Sequence, residues 1–292
     1  MKRLGFVNTL SLLCTGVYAH GGIYNYTIDG VDYPGHNPWL PEEGQNSIQR
    51  RWWPDPIYGV HHPYLSCNRG NPLATKNPTL HAPARAGSTV TASYLPIQCP
   101  TGIQTPTTPS TPGDDEKPMG CDSKYKWVHD IGPLLAYMAA CNGPCEALDP
   151  TDKKVWFKIY ETGLKPEAER RLDWPITYGD NWVQADTVWR RGTWDLTIPR
   201  NLKPGNYLLR HEIIMLGSAI PIQMYPHCVQ LTVTGDGDQV PEMGSEYLVQ
   251  FPGAYSDDDP GIAIANRFYY GDGGHATFNY TIPGPKVWTG EA

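Results

Sequence analysis

The chain has 292 residues, a formal charge of −7 and charged residues at only 18%. That length allows one large domain with a sizeable core, and an acidic balance without a basic cluster argues against a nucleic-acid partner. Beyond the N-terminal segment no apolar run approaches ~20 residues, so no membrane span is expected.

Lys2 and Arg3 precede a mostly apolar stretch, Leu4 to Val17, which ends at Val17-Tyr18-Ala19. This is the pattern of a secretory signal peptide over residues 1–19. The leader carries two of the 23 basic residues and none of the 30 acidic ones, so its removal takes the formal charge to −9. Cleavage after Ala19 makes His20 the first residue of the mature chain. His20 then presents an imidazole and a free α-amine of pKa near ~8. Two nitrogen donors on one residue form a chelate, and such donors suit copper.

The cysteines agree with export. There are seven, and Cys14 lies in the leader. Six in a secreted chain imply three disulfides. Cys141-Asn-Gly-Pro-Cys145 can close locally across a turn, Cys99 and Cys121 bracket a Pro/Thr-rich loop, and Cys67 and Cys228 remain for a long-range bridge. Asn25 and Asn279 head glycosylation sequons.

Strand signals of period two follow in order. Val90, Ala92 and Tyr94 alternate with Thr89, Thr91 and Ser93; Val155, Phe157 and Ile159 alternate with Trp156, Lys158 and Tyr160. Trp194, Leu196 and Ile198 form a third strand, Tyr207 to Leu216 a long fourth, and Val229, Leu231 and Val233 a fifth. Pro204-Gly205 and Thr234-Gly235-Asp236 punctuate them. Leu40 to Leu65, Gln98 to Lys126 and the chain after Gly235 read as loops. With no long amphipathic helix, no internal repeat and no Ser/Thr-rich linker, residues 20–292 are expected to form one antiparallel β-sandwich without a separate carbohydrate-binding module. Ten Trp and 18 Tyr against five Phe suit contact with sugar rings as well as a β core.

Four motifs stand in sequence. The first is Trp127-Val-His129-Asp-Ile-Gly132-Pro133 with Tyr137 and Met138 beyond it. The second is Ile198-Pro199, then Gly205-Asn-Tyr207-Leu-Leu-Arg210-His211-Glu212. The third is Gln223-Met-Tyr225-Pro226-His227-Cys228. The fourth is Pro252-Gly-Ala-Tyr255 with Asp259-Pro260-Gly261-Ile262 and the ending Ile282-Pro-Gly-Pro285-Lys-Val-Trp288. With a leader ending directly before His20, this series resembles the fungal lytic polysaccharide monooxygenases of auxiliary activity family nine, from His20 to about Trp288.

The resemblance implies an immunoglobulin/fibronectin-like sandwich with long loops. It also implies a single copper ion held by His20, His129 and an axial Tyr225, with Gln223 beside them. Open positions on such a site make it redox-capable; zinc is the physical competitor for histidine nitrogens, but it cannot cycle electrons. The implied reaction is oxidative cleavage of a β-linked glucan, with an external reductant as electron donor and oxygen or hydrogen peroxide as co-substrate. A secreted monomer is implied, with a flat aromatic surface against the polysaccharide. Tyr255 is the first candidate there by motif position, and Tyr24, Trp52 and Trp53 follow.

Other groups receive plainer readings. His61 and His62 are neighbours in an extended segment and point opposite ways. His211 fits a buried structural network. His227 stands where the family usually has glutamine and belongs to the site edge or the surface. His36, His81 and His275 have no evident partner. A glycosidase needs a placed acid and base, and the runs Asp114-Asp115-Glu116 and Asp257-Asp258-Asp259 read as solvated loops.

One position departs from the family. Five residues past Glu212 a histidine is usual, and here Gly217 stands. Glycine can neither orient a bound ligand nor supply a proton. A competing reading is therefore a copper-binding or carbohydrate-binding protein with weak or no oxygenase activity. The mature N-terminus is expected to be His20, which intact-mass measurement of the secreted protein checks; a chain beginning at Gly21 would have lost both nitrogen donors.

Overall fold

The computed structural model describes residues 21–71, 73–95, 127–151, 153–170, 178–216, 222–263 and 279–290. The expectations for His20, Gly217, His275, Asp114 to Glu116, the loop Gln98 to Lys126 and the Cys99–Cys121 pair lie outside them.

Among the described residues ten strands form two sheets. They are β1 (Asn25–Ile28), β2 (Val31–Pro34), β3 (Ile57–Tyr58), β4 (Ala82–Arg85), β5 (Thr89–Ser93), β6 (Leu134–Ala140), β7 (Trp156–Thr162), β8 (Thr193–Thr197), β9 (Gly205–Met215) and β10 (Gln223–Thr234). The smaller sheet has the order β2-β1-β5-β8; the larger runs β3-β10-β9-β6-β7, with β4 also paired to β10. Pairing is antiparallel except for β4, which lies parallel to β10. The only longer helical segment among the described residues is a single π-helical stretch, Ala185–Arg191. The structure is thus the expected sandwich.

Alternation builds the core between the sheets. Tyr26 and Ile28 of β1, Val90 and Ala92 of β5, and Trp194 and Leu196 of β8 face Leu209, Ile213, Tyr225, Val229 and Leu231 of the larger sheet. The outward side chains of the smaller sheet are polar, such as Thr91 and Asp195, which bond to each other across β5 and β8. At Asp29-Gly30 both residues take positive φ, 49° and 79°. That is the geometry of a two-residue hairpin loop, and it joins β1 to β2.

The larger sheet is buried on both faces. Its outer face carries Leu135, Tyr137, Leu208, Ile214, Met224 and Cys228, covered by Ile57, Val60, Leu65, Phe251 and Tyr255 from the long loops. A sheet sealed on both faces reads as continuous apolar sequence. Leu134-Leu-Ala-Tyr-Met-Ala-Ala140 is such a run, which is why no alternation marked β6 beforehand.

This outer core also holds a buried ion pair. Both guanidinium NH groups of Arg210 donate to Glu212, each at 2.7 Å. Arg210 further donates to the carbonyls of Leu65 and Ser66. Burial works against its charge, but Glu212 outweighs that and holds the guanidinium above its ordinary pKa. The pair therefore ties β9 to the loop that covers it.

Two disulfides join described residues. Cys141–Cys145 closes a local turn, and Cys67–Cys228 pins that same covering loop to β10 across 161 residues, with Cα atoms 5.3 Å apart. Chain entropy for so long a closure is about 5 kcal/mol as an upper figure. Cys67→Ala/Cys228→Ala is expected to lose several kcal/mol of stability in denaturant titration, whereas opening Cys141–Cys145, a five-residue loop, should cost clearly less.

Candidate metal centre

His129 and Tyr225 come from different parts of the larger sheet and meet at one end of the sandwich. Tyr225 is the third residue of β10, and alternation turns its ring inward. His129 lies in the segment leading into β6. That segment is fixed by two backbone bonds to the end of β9: Ile214 N–H donates to Pro133 C=O and Leu216 N–H to Ile131 C=O, each at 3.2 Å. Gly132 makes the approach possible. Its φ is +129°, and a Cβ there would lie 1.9 Å from the Ile214 carbonyl oxygen. Only glycine fits so close a contact.

The tyrosine hydroxyl is held between two partners. It donates to Gln223 Oε1 at 2.7 Å and lies 2.9 Å from His129 Nε2. With its proton committed to Gln223, the phenol oxygen offers its lone pairs on the His129 side. Burial keeps the phenol protonated, pushing its pKa well above the usual value. Trp127 wedges both rings edge-on, with centroids 5.3 Å from His129 and 4.8 Å from Tyr225. His129 is half-buried.

Two donors at neighbouring right-angle positions on one ion, with bonds of ~2.0–2.1 Å, lie about 2.9 Å apart. His129 Nε2 and the Tyr225 hydroxyl meet that condition. Among the described residues no group of three His, Cys, Asp or Glu side chains can hold a metal. A third donor would thus come from outside them, and the sequence offers His20. Gly22, two residues later, packs so closely on His227 Nε2 and Trp52 that a Cβ would lie 2.4 Å from each. His227 in turn is two residues from Tyr225 on the same face of β10.

The aromatic platform needs correction. Tyr24, Trp52, Trp53 and Tyr255 are all buried, at 0–3% exposure. Tyr255 donates to Glu212 at 2.5 Å and is met by the Tyr137 hydroxyl at 2.7 Å, so it belongs to the buried ion-pair network. Trp52 donates to His36 C=O and packs edge-on to His227 and Tyr24. Trp53 is covered by the Arg69 guanidinium, 4.1 Å above its ring. Motif position pointed to Tyr255, and residue type to Tyr24, Trp52 and Trp53, but neither reports the loops folded over them.

His227 is also buried rather than at an edge or surface, packed against Trp52 and Tyr94. His211 is buried as expected, but through rings rather than hydrogen bonds. It stacks edge-on to Trp194 at 4.9 Å, and neither ring nitrogen has a hydrogen-bond partner among the described residues. The polar network lies on the opposite face of β9, in Arg210 and Glu212. His61 meets Asp257 at the surface, 3.1 Å away, while His62 accepts from Tyr64 N–H and caps a 3-10 turn. His81 accepts from Cys145 N–H, and His36 lies in a buried turn where its backbone N–H donates to Gln49. Trp127 was quoted in the motif, but its wedging role needed the fold.

A β-sandwich whose one end brings a histidine, a buried tyrosine and a glutamine together is the architecture of the lytic polysaccharide monooxygenases. Residues 20–273 match Auxiliary Activity family 9 (formerly GH61), and the chain belongs to that family. It is 36% identical to AA9 family lytic polysaccharide monooxygenase B of Heterobasidion irregulare over 96% of both chains. It is 34% identical to monooxygenase D of Thermothelomyces thermophilus, over 98% of this chain and 95% of that one. Among solved structures, HiLPMO9B superposes with a TM-score of 0.70 at 33% identity, covering 93% of this chain and all of the other. A cellulose-active polysaccharide monooxygenase from M. thermophila gives 0.67 at 31%, with the same coverages.

The buried histidines set an acid limit. Burial, then the charge of His227, lowers the His211 pKa from 6.5 to about 3. In the unfolded chain it titrates near 6.5, so below that pH the unfolded state binds more protons. The stability due to neutral His211 is fully present above pH 6.5 and is lost as pH falls toward 3, at about 1.4 kcal/mol per pH unit. His211→Gln is expected to flatten the fall in Tm between pH 6.5 and 4, read by thermal unfolding at each pH.

Proposed function

We propose that this protein is a secreted, copper-dependent monooxygenase that cleaves β-linked glucan chains oxidatively. The observation that carries the reading is the 2.9 Å approach of His129 Nε2 to the Tyr225 hydroxyl in a chain of this family. His20 would add its amine and ring nitrogen once residues 1–19 are removed. Together these residues would hold one copper ion, which supplies one-electron chemistry toward oxygen or hydrogen peroxide when an external donor reduces it.

The protein's own part is positional. Gln223 fixes the Tyr225 proton, burial keeps that phenol neutral, and Trp127 limits rotation of both rings. Cellulose is the first substrate to try, because a structural relative is cellulose-active. Family membership and the intact His129–Tyr225–Gln223 set favour this reading over a carbohydrate-binding protein without oxygenase activity. Residues 20–292 act as one domain and one monomer.

We further propose that Gly217 leaves the site short of a proton donor, so that copper binds well but turnover on cellulose is slow. Loss of such a donor commonly costs 10–100-fold. The test is mass spectrometry of products from a polysaccharide panel with copper and a reductant, beside calorimetric copper titration. Oxidised oligosaccharides are expected, and His129→Ala should abolish them with a sharp loss of copper affinity. Gly217→His should raise turnover without changing copper affinity. Absence of oxidised products from every polysaccharide would overturn the reaction, and fast turnover with Gly217 in place would overturn the second proposal.

A further inference from the structure

Residues 21–24 are buried although they precede the first strand. From Ile23 onward this arm is held by hydrogen bonds. Ile23 C=O accepts from Gln49 Nε2 at 3.1 Å, Tyr24 N–H donates to Ser93 C=O at 2.8 Å, and Tyr24 C=O accepts from Gly35 N–H at 2.9 Å. At Gly22 the contact is packing instead. An added Cβ would lie 2.4 Å from His227 Nε2, and 2.4 and 2.8 Å from two ring carbons of Trp52. The φ of Gly22 is not in the left-handed region, so space alone demands glycine there.

The two rings that crowd Gly22 are themselves fixed. Trp52 Nε1 donates to His36 C=O at 2.9 Å, and the Trp52 and His227 rings meet at 63° with centroids 4.9 Å apart. His227 Nδ1 lies 3.3 Å from Tyr225 C=O. A carbonyl only accepts, so Nδ1 carries the ring proton and Nε2 turns a bare lone pair toward Gly22. That nitrogen is buried and has no hydrogen-bond partner among the described residues, whereas a buried acceptor is ordinarily paired. His211, directly opposite His227 on β9, packs on Trp194 and Tyr26 instead.

We propose that His227 and Trp52 are positioning residues for His20, forming a seat for Gly22 that aims the mature N-terminus at Tyr225. The proposal rests on the metal reading of His20. Two residues of chain span at most about 7 Å, which bounds the reach from Gly22 to His20. The step from His227 to Tyr225 along β10 is also about 7 Å. Matched steps from one seat carry His20 to Tyr225 when the arm runs alongside β10, and Nε2 receives an N–H of the arm as it passes. Without the His227 ring the arm keeps its hydrogen bonds from Ile23 onward but loses its direction before them.

The test uses the full mature chain. Calorimetry measures Cu(II) affinity, electron paramagnetic resonance reports the geometry of the bound ion, and amide hydrogen exchange follows the arm in the metal-free protein. His227→Ala and Gly22→Ala are each expected to weaken Cu(II) binding about tenfold or more and to alter the resonance spectrum. Both should speed exchange at Gly21 to Ile23 while exchange in Asn25–Ile28 stays unchanged. Gly22→Ala leaves every core side chain in place, so it decides the matter should His227→Ala unfold. His227→Gln, which keeps a polar planar group against Gly22, should restore most of the affinity. His211→Gln is the matched control, equally buried but off the arm, and should leave Cu(II) affinity and spectrum as in the wild type. Wild-type affinity and arm exchange in Gly22→Ala, no recovery in His227→Gln, or an equal loss in His211→Gln would overturn the proposal alone. A wild-type chain that takes up no Cu(II) would overturn the metal reading and the proposal with it.

Discussion

The pairing of β9 with β10 is the constraint on which the rest depends. Eleven consecutive pairs run from Gln223 opposite Met215 to Val233 opposite Gly205. Strict alternation along that ladder sorts the functional side chains. Tyr225 and His227 fall between the sheets with His211, while Arg210, Glu212 and Cys228 fall on the outer face. A slip of one residue would exchange the two sets. It would bury the Arg210 charge among Trp194 and Tyr26, and turn Tyr225 away from His129. Register therefore fixes the core, the ion pair, the disulfide and the approach of Tyr225 to His129 together.

The two faces contribute different kinds of stability. Between the sheets, aromatic rings and aliphatic chains supply burial of roughly 1.5–3 kcal/mol per large side chain. His211 and His227 are admitted there as neutral rings, and acid conditions work against them. On the outer face a charged pair is buried instead, satisfied by Leu65 and Ser66 carbonyls and the Tyr255 hydroxyl. Such a pair adds little net stability when complete, but removing one partner leaves an uncompensated charge costing about 3–5 kcal/mol. It selects one arrangement of the covering loops over others.

How much was legible in the sequence follows from these faces. The strands of the smaller sheet that alternate, β5 and β8, were readable because one face is wet. β9 was readable from its length and its turn residues, but of β10 only the alternating end Val229 to Val233 was, since its first half, Gln223 to Cys228, is buried on both sides. β6 was not, because Leu134 to Ala140 is buried on both sides and carries no period. The Asp29-Gly30 hairpin was signalled by its turn residues but passed over. His129, Tyr225 and Gln223 were picked out through motif order, and the fold brings the three together at one end of the sandwich. The four aromatics proposed for the polysaccharide surface were misplaced because residue type does not report what covers a ring. Trp53 under Arg69 and Tyr255 against Glu212 differ from exposed aromatics only in tertiary contacts.

The loops on the outer face have a further consequence. In most sandwiches the long connections can be exchanged with little harm, since they lie over a sheet that is complete without them. Here Leu65, Phe251 and Tyr255 are part of a core, and Ser66 and Leu65 carbonyls satisfy a buried guanidinium. Grafting a relative's loop in place of these segments would remove partners from Arg210 and expose the back of the strand that carries Tyr225. Loop exchange between family members should therefore be tolerated at the exposed Asp29-Gly30 turn between β1 and β2, and resisted across Ile57 to Cys67, where the connection is itself a layer of the protein.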